Sequence, residues 1–151
     1  ILGTVGLFRP HLTTGGDADL CWRIQQETSW RLVHAVDAVV YHRHRDTLKG
    51  LRNQWYRYGC SNRYLHDLHG VELMRSLTAS ETRYRLLRWG LKELPQAAAK
   101  LLTGRGTPLE LAITPLDLWC ARARSQGQAE AQLPDHARTI AHLGEQNQCE
   151  F

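Results

Sequence analysis

The stretch from Gly16 to Arg23 decides the local fold and reads Gly-Asp-Ala-Asp-Leu-Cys-Trp-Arg. The loop before it, residues 13–16, ends in two glycines, which allow the backbone to turn sharply. Asp17 and Asp19 then stand at a helix start, where carboxylates satisfy free amide groups and suit the helix dipole. The pattern predicts a loop followed by a helix that ends near residues 27–29.

The segments on both sides of this helix have the pattern of strands. Residues 1–8 form an apolar run that is broken by Pro10, which is typical of a short extended segment. Residues 30–34 and 38–42 alternate or run apolar with β-branched side chains, and Val36-Asp37 between them marks a turn. We therefore expect a small strand pair directly after the helix.

The remainder of the chain has mostly helical periodicity. Residues 47–69 place apolar side chains at steps of three and four. Residues 80–102 predict a second amphipathic helix, which Pro95 should kink or split. A shorter helix is expected from residue 115 to 124, and a last loose helix at residues 133–142.

Composition limits the class of protein. A chain of 151 residues with 42% hydrophobic content suits one ordinary domain with a modest core. The net charge of +4 favours anionic partners without demanding nucleic acid. Basic side chains concentrate at residues 43–63, whereas acidic ones dominate after Ser125. No apolar run is long enough to span a bilayer, and the four cysteines lack metal-site spacing, which fits a reducing cytoplasm.

Four short motifs, in a fixed order, resemble those of family 2 glycosyltransferases. Residues 5–8 read Val-Gly-Leu-Phe, residues 17–20 read Asp-Ala-Asp-Leu, His42 follows an apolar run, and residues 54–58 read Gln-Trp-Tyr-Arg-Tyr. The family pattern has a Val-Gly-x-Phe approach, a Glu-Asp-x-Asp-Leu box, a lone His after a short strand, and a Gln-x-x-Arg-Trp motif. The resemblance covers roughly residues 3 to 65.

The chain departs from the family pattern at two positions. Gly16 stands where the family has Glu, which removes an acidic neighbour, and Tyr58 replaces Trp but keeps an aromatic face. The resemblance implies an α/β fold of GT-A type, of which this chain is the C-terminal, acceptor-side part, mainly helical with the small strand pair. The expected divisions are catalytic residues 1–46, a helical region at residues 47–126 and a flexible acidic tail at residues 127–151.

The same resemblance implies a reaction and its partners. It is the transfer of a sugar, with inversion, from a nucleotide-diphosphate donor to a hydroxyl group of a cell-surface polysaccharide or lipid-linked glycan. The donor-binding half, with its Asp-x-Asp metal motif, is expected before Ile1, so the isolated chain should be inactive. The implied location is cytoplasmic, which allows association with the inner face of the membrane, and no nucleic-acid partner is expected.

Asp17 is the candidate catalytic residue. Inverting transfer needs a carboxylate behind the acceptor hydroxyl that can take its proton, and Asp17 matches the family position. The alternative interpretation is a plain helix N-cap. Asp19 lies four residues before Arg23, so we expect an intrahelical ion pair between them. This pair would hold the start of the helix, and with it Asp17, in position.

The candidate binding residues lie on the helix predicted at residues 47–69. Gln54 and Arg57 are three residues apart and would hold the acceptor or the diphosphate, because Arg offers a planar fork and Gln both donates and accepts. Trp55 or Tyr58 would stack on a sugar ring. The alternative is that the aromatic side chains are core and Arg57 is a solvated surface charge.

A metal ion also follows from the resemblance. His42 would complete the coordination of Mg²⁺ or Mn²⁺, which the donor half and the diphosphate oxygens would mainly hold. His44 is a competing ligand, and a structural histidine is an equal alternative to a ligand. His42 and His44 alone make a poor magnesium site. His66 and His69 are expected to be solvated.

A second hypothesis belongs to a different functional class. The chain would be a basic helical module that binds nucleic acid or anionic membrane through residues 43–63 and 83–100. For the second of these segments, packing over the catalytic half is the simpler interpretation, because Tyr84, Leu87 and Leu91 suit any docked helix. Placement separates the hypotheses, since an enzyme gathers Asp17, His42, Gln54 and Arg57 on one concave surface.

Overall fold

The computed structural model describes residues 1–43 and 45–143, and the regular structure within them is helical. The α-helices are α1 (Leu2–Val5), α2 (Gly16–Glu27), α3 (Leu48–His69), α4 (Ala79–Arg88), α5 (Leu94–Leu102) and α6 (Ile113–Glu130). A π-helical turn, Trp89–Glu93, joins α4 to α5, and 3₁₀ turns lie at Pro108–Leu111 and Asp135–Arg138.

The prediction of an α/β fold with a strand pair is wrong, because the described residues contain no strand. Residues 30–43 have no regular secondary structure apart from the expected turn, where the Ala38 N–H donates to the Ala35 carbonyl oxygen at 3.1 Å. Val33 and Tyr41 are 87% and 95% exposed. A β-pattern needs a partner backbone and a surface to cover, and this segment has neither in the described part of the chain.

The first eight residues also differ from their prediction. Residues 2–5 form α1 rather than an extended run, and the chain becomes irregular at Gly6, whose φ is +79°. The carbonyl oxygens of Val5 and Leu7 accept hydrogen bonds from the Arg23 guanidinium. A buried cation in α2 therefore fixes this segment, where the sequence predicted a strand.

Helices α3 and α6 form the centre of the fold and cross at two glycines. A Cβ on Gly59 would lie 2.0 Å from the Arg124 carbonyl oxygen, and one on Gly127 would lie 2.0 Å from the Tyr56 carbonyl oxygen. The absence of side chains at both positions lets the two backbones touch. The α3 bounds agree with the prediction within one residue, and Thr47 caps the helix by accepting from the Gly50 N–H at 3.1 Å.

The helix predicted at residues 80–102 is interrupted, as expected from Pro95. The π-helical turn ends directly before α5, and Pro95 lies in the first turn of α5, where its missing N–H costs no hydrogen bond. Helix α6 continues through Glu130, past the predicted start of a flexible tail at residue 127. The end of that predicted tail, residues 144–151, lies outside the described residues.

Candidate functional site

The loop before α2 places Asp17 against α3. Gly15 has a φ of +75°, and a Cβ there would lie 3.2 Å from Leu65 of α3, so this position favours glycine. The hydroxyl of Ser61 donates to the Thr14 carbonyl oxygen at 2.6 Å, and the Thr14 hydroxyl donates to the Arg57 carbonyl oxygen at 3.2 Å. The start of α2 is therefore held on the side of α3.

Asp17 is exposed and lies in the first turn of α2. The N-cap position is Gly15, so Asp17 is not the cap residue, although its carboxylate accepts from the Ala18 N–H at 3.0 Å. A carboxylate in this place is stabilised by the helix dipole. One carboxylate oxygen has this local contact, and the group as a whole is open to a ligand.

A groove with a volume of about 470 Å³ opens beside Asp17, and we call it the Asp17 groove. Trp55 and Tyr58 form one wall, with ring centroids 5.8 Å apart and an interplanar angle of 77°. The buried Nδ2 of Asn62, which also lines the groove, has no hydrogen-bond partner among the described residues. The remaining lining residues are Thr14, Gly15, Ser61, Leu65, Met74 and Arg124.

Gln54 and Arg57 do not line the Asp17 groove. The Gln54 amide donates to the Tyr58 hydroxyl at 2.7 Å, so it orients one of the aromatic rings. Arg57 turns to another side of α3 and, together with Arg45, lines a second groove of about 430 Å³. Its buried Nε has no hydrogen-bond partner within the described part of the chain. We call this cavity, lined by residues 45, 50, 53, 56 and 57, the Arg57 groove.

Asp19 is fully buried and gathers three basic side chains, in what we call the Asp19 cluster. Its carboxylate is 3.1 Å from Arg9 Nε, 3.1 Å from Arg23 Nε and 2.8 Å from His69 Nε2. The expected Asp19–Arg23 ion pair is therefore present. Arg9 also donates to the Ala137 carbonyl oxygen at 2.9 Å. The cluster joins the first segment, α2, the end of α3 and the 3₁₀ turn at 135–138.

The cations of the cluster keep Asp19 ionised in spite of its burial. Burial raises the pKa of this carboxyl group, but the hydrogen bond from His69 and the charges of Arg23 and Arg9 outweigh burial and hold the pKa below its usual range. A buried carboxylate that already accepts from three donors cannot also remove a proton from an acceptor hydroxyl in a solvent-exposed groove. The cluster is therefore architectural.

The sequence did not predict that His69 and Arg9 belong to the Asp19 cluster. His69 was expected to be solvated, but its side chain is 8% exposed, and its ring packs edge-on against Trp22 at 5.2 Å. His66 is partly buried and bonds the Val71 carbonyl oxygen at 2.7 Å. Neither local spacing nor a motif signals a contact between residues 19 and 69, which are fifty positions apart.

The donors present do not fit a metal site. His42 is exposed in the irregular segment at residues 30–43, and His44 lies outside the described residues. Among residues 1–43 and 45–143 there is no group of three His, Cys, Asp or Glu side chains placed to hold a metal ion. A divalent ion thus stays a prediction of the resemblance, and no chemical step is assigned to it.

Several basic side chains of the two basic segments have partners within the fold. Arg63 pairs with Asp67 at 3.0 Å, Lys100 lies 3.4 Å from Glu110, and Arg52 donates to the Gln126 side chain at 2.9 Å. Arg85 and Arg88 pair with Asp117 and Glu93. A nucleic-acid surface needs cations free for phosphates. These pairings therefore disfavour a nucleic-acid surface built on these five side chains.

Neither protein-family models, nor curated protein sequences, nor solved structures give a match to this chain. In the described part of the chain, none of the helices has the length and apolarity required to cross a bilayer.

Proposed function

We propose that this chain is the acceptor-side part of a family 2 glycosyltransferase, which transfers a sugar from a nucleotide-diphosphate donor to a glycan or lipid-linked hydroxyl group. The observation that carries the proposal is the Asp17 groove. It places an accessible carboxylate beside a wall of two aromatic rings. Aromatic faces bind the apolar faces of sugar rings, while a carboxylate accepts from their hydroxyl groups.

The size and polarity of the groove suit a sugar acceptor. Its volume of about 470 Å³ falls within the range of small-ligand sites, about 300 to 1,000 Å³. Asn62 contributes a polar side chain to the lining, and the Gln54 amide holds the Tyr58 hydroxyl in place. Trp55 is the central platform, because it is half-buried and contacts Tyr58 edge to face.

In the proposed reaction Asp17 acts as the general base. Its carboxylate removes the proton from the acceptor hydroxyl as that oxygen attacks the anomeric carbon, and the nucleotide diphosphate leaves from the opposite side. Asp17 suits this role better than Asp19, because Asp19 is enclosed by two guanidinium groups and the His69 ring. Arg23 belongs to that enclosure and supports the position of α2.

We propose that the Arg57 groove binds an anionic group. Arg45 and Arg57 line it together, and two guanidinium groups favour a diphosphate through charge and bidentate hydrogen bonds. The two grooves lie on different sides of α3, whereas in-line displacement needs the attacking and leaving oxygens at one anomeric carbon. A diphosphate bound in the Arg57 groove would therefore lie apart from the reacting centre and would not be the leaving group. The three free cysteines of the described residues suit the cytoplasmic location that the proposal includes.

Sugar binding by the 151-residue chain tests the proposal without requiring transfer. Saturation-transfer NMR with a panel of methyl hexosides should detect binding by the wild-type chain, and Trp55→Ala should weaken it about tenfold, because the ring platform is lost. Trp30→Ala is the matched control, since Trp30 is 45% exposed and lies outside the groove. Equal binding by wild type and Trp55→Ala, or no binding of any hexoside, would overturn the proposed acceptor site.

A further inference from the structure

A row of large apolar side chains lies in water along α4 and the π-helical turn. Tyr84, Leu87 and Leu91 follow steps of three and four residues, so they project from one side of the helix. They are 64%, 63% and 81% exposed. We call these three residues the α4 face. A contiguous apolar row of this kind marks an interaction surface rather than the scattered exposure of ordinary surfaces.

The opposite side of the same helix is fixed to the rest of the fold. The Trp89 indole N–H donates to the Leu111 carbonyl oxygen at 3.0 Å, and Arg85 pairs with Asp117 of α6. Thr78 and Glu81 form a capping box at the start of α4. The helix is thus anchored by its inner side, and the α4 face points away from the packed helices.

Positive charges flank the α4 face. At about 100° per residue, Arg83 falls on one side of Leu87 and Arg88 on the other. Arg83 and Lys92 are exposed, and neither forms an ion pair with a carboxylate of the described residues. Arg88 pairs with Glu93 at 2.6 Å, so its charge is compensated within the fold. An apolar row between cations is the composition of a helix that lies in a membrane interface.

We propose that the α4 face lies on an anionic membrane surface. Tyr84, Leu87 and Leu91 enter the boundary between headgroups and acyl chains, and Arg83 and Lys92 contact lipid phosphates. The flanking charges select an anionic membrane over a purely apolar protein surface, and the net charge of +4 acts in the same direction. The inference goes beyond sugar transfer, because it uses none of the residues of the two grooves.

Cosedimentation of the 151-residue chain with vesicles tests this inference. Vesicles of phosphatidylglycerol and phosphatidylcholine in equal parts should bind the chain, and vesicles of phosphatidylcholine alone should bind it at least about tenfold more weakly. Leu87→Glu/Leu91→Glu should reduce binding to the mixed vesicles about a hundredfold, because two apolar anchors are lost. Arg83→Glu/Lys92→Glu should reduce it about tenfold or more.

Matched controls separate the α4 face from general charge effects. Val33→Glu/Val36→Glu adds the same two charges at valines that are 87% and 81% exposed in the irregular segment at residues 30–43. Arg31→Glu/Lys49→Glu repeats the charge reversal at exposed sites elsewhere. Both controls should bind more tightly than the corresponding α4 variants, with unchanged helicity by circular dichroism.

Three outcomes would overturn the inference. The first is equal binding to vesicles with and without phosphatidylglycerol. The second is an equal loss in the control variants and the α4 variants. The third is a chain that binds no vesicles but self-associates through the α4 face, seen as a dimer in light scattering that Leu87→Glu/Leu91→Glu dissociates. That result would assign the face to a second copy of the chain.

Discussion

At the scale of single residues, two carboxylates two positions apart serve different purposes. Asp17 is exposed beside a groove, whereas Asp19 is fully buried among Arg9, Arg23 and His69. Burial and partners, rather than residue type, decide which of them is available to a ligand. The first turn of α2 therefore supplies both a candidate catalytic residue, Asp17, and a buried structural carboxylate, Asp19.

Removal of the Asp19 charge should lower the stability of the folded chain. Asp19→Asn leaves the buried Arg9 and Arg23 without their counter-charge, so we expect a loss of about 3 to 5 kcal/mol in the free energy of unfolding. Asp17→Asn is the matched control and should change it by about 1 kcal/mol or less. Urea denaturation measures both. An Asp19→Asn variant as stable as the wild type would contradict a structural role for the cluster.

The Asp19 cluster also predicts how stability depends on pH. The pKa of Asp19 in the folded chain lies below 3.8, the usual value of this side chain, which applies in the unfolded chain. Its contribution is thus complete above that unfolded value and is lost as pH falls through the lower folded value. Between about pH 6 and about pH 3, the wild type should lose more stability than Asp19→Asn in urea denaturation. Parallel losses would show that other groups govern the acid transition.

Residue-level prediction from the sequence succeeded where contacts are local. The spacing of Asp19 and Arg23 predicted their ion pair, because one helical turn brings positions i and i+4 together. Arg9 and His69 reach the same carboxylate from other segments, and no local pattern encodes that convergence. The expected solvation of His69 was wrong for this reason.

At the scale of elements, the crossing of α3 and α6 depends on Gly59 and Gly127. A side chain at either position would meet backbone atoms of the other helix at 2.0 Å, so neighbouring side-chain movement cannot relieve the clash. The nearby Tyr56 hydroxyl donates to Glu130 at 2.9 Å, which raises the pKa of Tyr56 to about 12 through that bond and burial. Polar and backbone contacts together join the two helices.

Alanine substitution at the crossing should be costly. We expect Gly59→Ala and Gly127→Ala each to lower the free energy of unfolding by about 3 kcal/mol, because the two backbones must separate. Gly90→Ala is the matched control, because a Cβ there would meet nothing within 4 Å, and it should be neutral or stabilise by about 0.5 kcal/mol. Thermal and urea unfolding compare them. Equal stability of all three variants would refute the close crossing.

Element prediction worked for long periodic segments and failed for short ones. Helix α3 has more than five turns of consistent periodicity, so its bounds were predictable. Helix α6 runs six residues beyond its predicted end at Arg124, because Gly127 packs on α3 and the polar sequence there gives no periodic signal. Residues 30–43 have a strand pattern, but the partner that would make them a sheet lies nowhere in the described residues.

At the scale of the whole molecule, the helices hold three surfaces with different chemistry. The Asp17 groove is aromatic and lined by one carboxylate and one guanidinium group, the Arg57 groove is basic, and the α4 face is apolar with cations beside it. The four polar candidates from the sequence do not share one cavity, since Asp17 lines the first groove and Arg57 the second, with His42 in neither. The convergence on one concave surface that the sequence analysis expected of an enzyme is therefore not found for these four residues, and the proposal rests on the Asp17 groove.

The measurement that tests the central claim most directly is sugar transfer by Asp17→Asn, in an enzyme that joins this chain to the donor-binding half that the proposal requires. The account predicts a kcat lower by about two to four orders of magnitude with donor binding unchanged, because only proton removal is lost. Glu27→Gln, an exposed carboxylate at the other end of α2, should retain wild-type transfer. Transfer by Asp17→Asn within about threefold of the wild type would contradict the account.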